Sequence, residues 1–559
     1  MILKKQRMCG IFFIINQLIS DNITQNDIYK SYHHGYRRGP DNSSIEFSQF
    51  SIGFHRLSIN GLDSVSNQPL KKNKLILICN GEIYNYKYLY SKLDTSPQTN
   101  SDCEIILDLY EKYGIEHTIS MLDGVFAFVL IDNRTDNTKV FVCRDPYGVR
   151  PLFVLYNDFT PIGFSSEIKT LIDLKKNNSL RIEHCEPNTC KEYISDITDT
   201  IYYENNKFNI VSNSILTVSN NTHTLEYYLD NIKSLFTNAV SKRVNNTDRK
   251  VACLLSGGLD SSIVTSIVNR FTESPLETYS IGLEGGEDLS YAKEVADYLG
   301  TNHHEVIVTE DDFFNAIQEV IYNIESYDTT TVRASVGNYL VCKYISEHSE
   351  AKVILNGDGS DELMGGYLYM HYCKDDIEFD YETKRLLKNI HQYDVLRSDK
   401  SISSNGLEPR TPFLDKTFVQ YYLSIPIEYR NHNNSNQIEK FLFRKAFDND
   451  EYLPKSVLWR RKEAFSDGVS SLRKSWYEII NEKVSDYFRN NNIDTDELFT
   501  KYEQCKNPPT TLEQLYYRDI FEKHYPDCSD VISDFWMPKY INANDSSART
   551  LGVYSDKLG

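Results

Sequence analysis

The stretch Ser256-Gly257-Gly258-Leu259-Asp260-Ser261-Ser262 constrains this chain more than any other. It follows an apolar run at 251–255 and leads into a helix-forming run at 261–271. A buried strand, a glycine-rich turn and a helix start are therefore expected in direct succession. Adjacent glycines let the backbone adopt positive φ and approach an anion closely. The helix start offers free N–H groups and the positive end of a dipole. Ser256, Ser261 and Ser262 add hydroxyl donors. Asp260 suits a phosphate poorly, because like charges repel, but it suits a Mg²⁺ ion beside phosphates. The form GxxxxGK[ST] is absent from the chain, which argues against the phosphate loop of kinases and motor ATPases.

The pattern around this loop predicts its setting. Strand-like runs at 278–282, 304–308 and 353–355 alternate with helical runs at 289–299 and 311–324. Such alternation predicts a parallel sheet covered by helices on both faces. Beyond Tyr381 the chain reads as mainly helical. The first 170 residues differ, with short strand-like runs at 10–15, 75–79, 125–131 and 140–143 and a helix over 102–113. Asn80-Gly81 and Asp132-Asn133 read as turn signals, and the whole as an α+β sandwich. Residues 175–225 read as polar and irregular, most linker-like at 175–179 and 220–224. A length of 559 residues calls for two or more domains, placed at 9–190 and 225–559.

Charge and cysteine usage narrow the classes. The 79 acidic and 60 basic side chains leave a net charge of -19, which opposes general binding to nucleic acid or an anionic membrane. The 11 cysteines include no CxxC pair and no close Cys/His cluster, so no structural zinc is expected. Reduced thiols and a cytoplasmic location are the expectation. Lys4, Lys5 and Arg7 precede an apolar run of only five residues, 11–15, ended by Asn16 and Gln17. That is shorter than a signal-peptide core. No apolar stretch of about 18 residues appears, so no membrane span is expected.

The Ser256–Ser262 run resembles the SGGxDS loop of the PP-loop ATP pyrophosphatases, which split ATP into AMP and pyrophosphate and activate a carboxylate as its adenylate. A second cluster, Asn356-Gly357-Asp358-Gly359-Ser360-Asp361-Glu362, follows another strand, and Gly365-Gly366-Tyr367 comes soon after. Paired acids on a glycine-rich loop suit Mg²⁺ and proton transfer, although alone such a run is most often a solvated turn. The resemblance implies ATP contacts from Leu255, Ser256, Gly257, Gly258, Asp260, Ser261, Ser262, Ile281, Asn356 and Gly357, and a metal held by Asp260 and Asp361.

Met8-Cys9-Gly10 opens the first strand. A cysteine there is, on its own, most simply a small buried side chain. Four further segments change that reading: Arg37-Arg38-Gly39-Pro40-Asp41, His55-Arg56-Leu57-Ser58-Ile59, Asn80-Gly81-Glu82-Ile83-Tyr84-Asn85 and Ser101-Asp102-Cys103-Glu104. In this order they resemble the glutaminase domain of class II amidotransferases, an N-terminal nucleophile fold. The resemblance makes Cys9 the nucleophile and its own α-amine the base, if Cys9 is the mature N-terminus. It gives Asn80 and the Gly81 N–H to the oxyanion, Arg56 to the glutamine α-carboxylate, and Glu82 and Asp102 to the α-ammonium. In the family the cysteine directly follows the initiator Met, whereas seven residues precede Met8 here. Translation from Met8, or removal of residues 1–8, is therefore expected.

The two halves together resemble the glutamine-hydrolysing asparagine synthetases over nearly the whole chain. The stretch at 327–335 resembles the family's substrate-side segment and offers Thr330, Thr331 and Arg333 as aspartate-binding candidates. The run at 461–468 carries Lys462, which the family places on the phosphates. His391 to Asp394, 407–415, Trp536, Pro538 and Ala548-Arg549-Thr550 match further signatures. The implied architecture is an α+β N-terminal nucleophile sandwich, then an α/β parallel-sheet PP-loop domain with a largely helical C-terminal region. The implied chemistry uses glutamine, aspartate, ATP and Mg²⁺, and the family analogy admits a homodimer. One departure stands out, because Asp358 occupies the place of a glutamate that takes a proton from the attacking ammonia. A carboxylate one methylene shorter implies retained but slower amide transfer. Two rivals stay open: a β-lactam-forming or peptide-amidating relative, and a homologue that binds ATP without turnover.

Overall fold

A computed structural model describes residues 9–552 apart from 20–21, 40, 177–178, 196–202, 210–222, 436, 450, 471–473 and 544. The expectations concerning Met8 and residues 1–7, and parts of both linker stretches, lie outside the described residues.

The strands are β1 (Gly10–Ile15), β2 (Asn42–Phe47), β3 (Phe50–Arg56), β4 (Leu70–Lys72), β5 (Leu75–Ile83), β6 (Gly124–Asp132), β7 (Thr138–Arg144), β8 (Phe153–Asn157), β9 (Thr160–Ser165), β10 (Leu180–His184), β11 (Thr189–Ser195), β12 (Tyr203–Asn209), β13 (Val251–Leu254), β14 (Glu277–Leu283), β15 (Asn302–Val308), β16 (Val353–Leu355) and β17 (Glu408–Arg410). The chain forms two compact units. The first holds β1 to β12 together with Asn246–Arg249 and Ile402–Glu408. The second holds the helix Leu225–Asn245, Lys250–Ser401 and the chain from Pro409 onward.

In the first unit two six-stranded sheets run β10-β8-β9-β1-β3-β2 and β12-β11-β7-β6-β5-β4. The period-2 geometry of a strand sorts its side chains between two faces. From β5 and β6, Ile78, Ala127, Val129 and Ile131 join Ile11, Phe13, Ile15 and Ile52 in one core. Leu75, Leu77, Cys79, Phe126, Phe128 and Leu130 point the other way, onto Leu89, Leu93, Ile105 and Leu109 of two helices. Each such fully buried side chain contributes on the order of 2 kcal/mol.

Three expectations are corrected here. Asn80-Gly81 is no turn: the pair lies within β5, opposite Ala127 and Phe126 of β6. A Cβ on Gly81 would stand 2.3 Å from the Val125 carbonyl oxygen, so glycine serves strand contact rather than chain reversal. The irregular stretch at 175–225 contains β10, β11 and β12, whose polar residues hid their periodicity. The expectation of reduced thiols throughout also fails, since Cys143 and Cys190 face each other across β7 and β11 and form a disulfide with Cα atoms 4.1 Å apart. A separation of 47 residues gives no local sign of that pairing.

In the second unit the sheet order is β15-β14-β13-β16-β17, with parallel pairing of β13 to β14 and β16 and of β14 to β15. The expected helices appear at Leu259–Asn269, Glu287–Leu299 and Glu310–Ile324, the last capped reciprocally by Thr309 and Asp312. A further helix, Thr329–His348, starts at Asp328, whose carboxylate accepts from the Thr331 N–H. After residue 381 the described residues are mainly helical. Among them no helix is long and apolar enough to cross a membrane.

Candidate active sites

Cys9 precedes β1, and the β1–β3 register puts Gly10 opposite His55, so Cys9 falls beside Arg56 and Leu57. Its Sγ lies 3.3 Å from both the carbonyl oxygen and the N–H of Leu57. Arg38 fixes the backbone there, donating from Nε to the Cys9 carbonyl at 2.7 Å and pairing with Glu167 at 2.6 Å. Burial pushes the Cys9 thiol up to about 12; the Leu57 hydrogen bond and Arg56 oppose this, while Glu408 and Glu82 add to it. At neutral pH the thiolate is scarce, so nucleophilic chemistry needs a base at the sulfur. His55 is not that base: its ring contacts the Tyr32 carbonyl and Ser43, and burial lowers it to about 4.

The other expected residues of this site come together around charge-to-dipole contacts. Arg56 donates to the carbonyls of Asp63 and Asn60 at 3.0 and 3.1 Å, to that of Gly61, and to Asn67 Oδ1 at 2.7 Å. Glu82 accepts from the amides of Asn60 and Asn246 at 2.5 and 3.2 Å. Asp102 accepts from the Ile83 N–H at 2.6 Å. Asn80 reaches Ser166 at 3.5 Å, which is a weak contact. Asn60 was missed in the sequence because nothing local marks it as the partner of Glu82.

In the second unit the loop after β13 folds as its glycines require. Gly257 has φ +72°, and a Cβ on it would stand 2.4 Å from the Ala292 backbone nitrogen. Gly258 caps the helix Leu259–Asn269. Ser256 and Ser261 hydroxyls lie 3.0 Å apart, and the Ser256 N–H donates to Ser261 Oγ at 3.1 Å. A cavity of about 180 Å³ opens at the ends of these strands. Of the expected residues, Leu255, Ser256, Gly258, Asp260, Ser261, Ile281, Thr330, Asn356, Gly357, Asp358, Asp361 and Lys462 line it. Thr330 Oγ1, which lies in this lining, and Ser262 Oγ are buried without a hydrogen-bond partner.

Two expected aspartate contacts point elsewhere. Arg333 spends its guanidinium on Glu513, at 2.8 and 2.6 Å, and on Asp545, at 2.8 and 2.9 Å. The Thr331 hydroxyl donates to Asp328 at 2.7 Å. Neither residue lines the cavity as Thr330 does: Thr331 is tied to Asp328 at the start of the helix Thr329–His348, and Arg333, one turn after Thr330, is held by the two acids.

The cavity is crowded with opposed charges. Lys440 Nζ lies 2.7 Å from Asp260, 2.6 Å from Asp361 and 2.7 Å from Ser360 Oγ. Lys462 meets the other Asp361 oxygen at 2.7 Å. Although burial opposes it, these two lysines hold the Asp361 carboxyl well below the usual range. Asp260 Oδ1 is shut off from solvent with no hydrogen-bond partner. Among the described residues no three His, Cys, Asp or Glu side chains gather as a metal site. Two carboxylates, each with one oxygen lacking a hydrogen-bond partner, nevertheless fit Mg²⁺, which commonly takes one or two carboxylates together with substrate phosphates.

A second network lies beside it. Arg397 joins Asp358 and Asp394, each at 2.8 Å. The Tyr367 hydroxyl sits 2.6 Å from Glu362 and 3.0 Å from Asp394. One hydroxyl proton serves one carboxylate at a time, so the other contact calls for a protonated carboxyl. Burial and the neighbouring Asp394 push Glu362 well above its usual range, which makes it the proton holder. Asp288 also lines the cavity; burial raises it to about 6 despite Arg460 at 2.8 Å. The C-terminal signature braces this region: Trp536 packs against Tyr367 with centroids 5.1 Å apart, and Arg549 pairs with Glu463 at 2.7 Å. Lys440, Asp288, Arg397 and Arg460 were not picked out from the sequence. The one trace of Lys440 is Gly366, where a Cβ would stand 2.0 Å from the lysine Cε.

Comparison with known proteins matches the chain to two family models. A family model described as glutamine amidotransferase domain matches residues 8–229, and one described as asparagine synthase matches 231–378 and 374–547. The chain is 42% identical over 578 residues to the asparagine synthetase [glutamine-hydrolyzing] of Gallus gallus, covering 99% of this chain and 100% of the relative. The Homo sapiens protein of the same description is 41% identical over 583 residues, again covering 99% and 100%. That of Mus musculus is 42% identical over 573 residues, covering 98% and 99%. Matched by both family models and by these relatives over nearly its full length, the chain belongs to the glutamine-hydrolysing asparagine synthetase family.

Proposed function

We propose that the chain converts L-aspartate to L-asparagine, using ATP and the amide nitrogen of glutamine and releasing AMP, diphosphate and L-glutamate. The observation that carries this reading is that one chain combines Cys9 set beside Arg56 with a cation-flanked acid pair in a glycine-rich cleft. The glutaminase domain is taken as 9–190 and the synthetase domain as 225–559. A homodimer and a cytoplasmic location are proposed by analogy with the family alone.

In the first domain the Cys9 thiol attacks the glutamine carboxamide, and its own α-amine, free once residues 1–8 are absent, takes the thiol proton. An α-amine titrates near ~7.8, which suits a base at neutral pH. Asn80 and the Gly81 N–H receive the oxyanion, a role typically worth about 3 kcal/mol. Arg56 holds the glutamine α-carboxylate, and Glu82 and Asp102 its α-ammonium. Ammonia leaves, and water hydrolyses the thioester to glutamate.

In the second domain the aspartate β-carboxylate attacks the α-phosphorus of ATP, giving β-aspartyl-AMP and diphosphate. Ser256 to Ser262 cradle the departing diphosphate, and Lys462 balances its charge. Asp260 and Asp361 would hold Mg²⁺, which when bound neutralises phosphate charge. Ammonia then displaces AMP, and Asp358 takes the proton, oriented by Arg397. Thr330 is the aspartate contact best supported by position, through its orphaned hydroxyl.

The test is one labelled reaction with MgATP, aspartate and glutamine carrying ¹⁵N in its amide. Labelled asparagine with AMP is expected by mass spectrometry. Labelled ammonia without asparagine would refute the synthetase assignment. Asp358→Glu should keep amide transfer within about tenfold of the parent, or improve it, since about 1 Å of misplacement governs such steps. A much slower Asp358→Glu enzyme would show that Asp358 is no shortened substitute for glutamate.

A further inference from the structure

Lys440 is the most enclosed cation among the acids of the cleft, with its side chain 1% exposed. Its ammonium donates to Asp260 Oδ2 and to Ser360 Oγ, each at 2.7 Å, and forms an ion pair with Asp361 Oδ1 at 2.6 Å. Lys462 occupies Asp361 Oδ2 at 2.7 Å. Lysines stand against three of the four oxygens on the two carboxylates, yet Asp260 Oδ1 and Asp361 Oδ1 are both buried without a hydrogen-bond partner. The backbone makes room for this: a side chain at 366 would collide with Lys440 Cε at 2.0 Å and Asp361 Oδ1 at 2.2 Å.

We propose that Lys440 is the resident counter-cation of Asp260 and Asp361 in the nucleotide-free protein, and that it yields them to a divalent ion only when nucleotide phosphates draw its ammonium away. The proposal rests on the assignment of those two carboxylates to the metal. Two carboxylates and two lysines are already balanced in charge. A lone divalent ion entering a buried, balanced site adds uncompensated charge and must displace hydrogen-bonded ammonium donors. A nucleotide complex brings its own negative charge and gives Lys440 new acceptors. The divalent ion accordingly loads with the nucleotide rather than before it.

Mn²⁺ binding followed by electron paramagnetic resonance on the purified full chain tests this without reference to turnover. Without nucleotide, Lys440→Met is expected to bind Mn²⁺ at least tenfold more tightly than the parent, while Lys440→Arg stays weak. A purely structural lysine gives no gain in affinity on its removal. The melting temperature of Lys440→Met should fall and be restored by Mn²⁺; Lys440→Gln serves if the Met variant does not fold. A folded Lys440→Met or Lys440→Gln protein with unchanged or weaker Mn²⁺ binding overturns the proposal. Asp361→Asn, measured with a non-hydrolysable ATP analogue, separates the two failures. If it loses Mn²⁺ while the Lys440 variants gain nothing, the metal assignment stands and the role of Lys440 falls. If it and Asp260→Asn both leave Mn²⁺ binding intact, the metal assignment and the proposal fall together.

Discussion

Near Cys9, Arg56, Glu82 and Asp102 contact neutral groups; in the cleft of the second unit the acids and bases contact each other. Arg56 donates to three backbone carbonyls and an asparagine, and Glu82 and Asp102 accept from amides. Asp260 and Asp361 are instead set against Lys440 and Lys462, Asp288 against Arg460, and Asp358 with Asp394 against Arg397. The difference follows the ligands. Glutamine carries one positive and one negative pole, so a site for it needs single charges held in place by dipoles and left available to the substrate. A nucleotide with its metal brings a large charge of each sign, so its site must be self-neutralising while empty. The first site is built for positioning and the second for charge exchange.

The largest effects should come from cutting each site at its centre. Cys9→Ala is expected to lower glutamine-dependent synthesis by at least about 10⁴-fold, the scale of losing a covalent nucleophile, while synthesis from added ammonia survives. Lys462→Met should do the reverse, reducing synthesis from either nitrogen source about 10³-fold and leaving glutamine hydrolysis active. Parallel glutaminase and ammonia-dependent assays check both. If Cys9→Ala removed ammonia-dependent synthesis, the contrast between the two sites would collapse. Asn80→Ala sharpens the positioning half, with an expected fall of about 10²–10³ in glutaminase kcat and little change in KM.

Arg333→Met asks whether that arginine belongs to the cleft at all. Removing it strands Glu513 and Asp545, a loss of about 3–5 kcal/mol for a broken buried ion pair. Denaturant unfolding should register the loss, with no selective rise in KM for aspartate; a selective rise would return Arg333 to the substrate. The smallest expected effect concerns Asp288. Its folded-state value, raised to about 6, means that the folded protein holds a proton which the unfolded chain gives up near pH 4. That contribution is fully present below roughly pH 4 and is lost as pH rises through about 6, a change on the order of 2–3 kcal/mol. The melting temperature of Asp288→Asn relative to the parent should therefore climb by roughly 2–4 °C between pH 4 and 7. A flat difference would break the link between burial and proton uptake at that carboxylate.

What could be read beforehand followed the range of the physics. Steric demands are local, so the glycines at 257 and 258 announced the loop, and β1 and β16 fall where their apolar runs predict. Even a local signal misled where glycine answered to a neighbouring strand, as in Asn80-Gly81. Charge pairing has no such range. Arg333 looked like a substrate contact because Glu513 and Asp545 lie 180 and 212 residues away. Lys440 sits in no motif, and its meaning comes from Asp260, 180 residues earlier. The Cys143–Cys190 bond depended on a strand register that spacing cannot convey.

The first unit is contiguous in space but not along the chain. Asn246 supplies an amide to Glu82, and the fully buried Arg150 meets Glu408 at 3.2 Å, yet both partners are encoded well after β12. During synthesis the unit cannot settle completely when its last strand leaves the ribosome. It waits for roughly 200 more residues, at about 5–20 residues per second, before Glu408 emerges. For that interval of some ten to forty seconds Arg150 must stay hydrated or borrow other partners. A nascent chain stalled before residue 246 would expose a sandwich whose Glu82 still lacks the Asn246 amide.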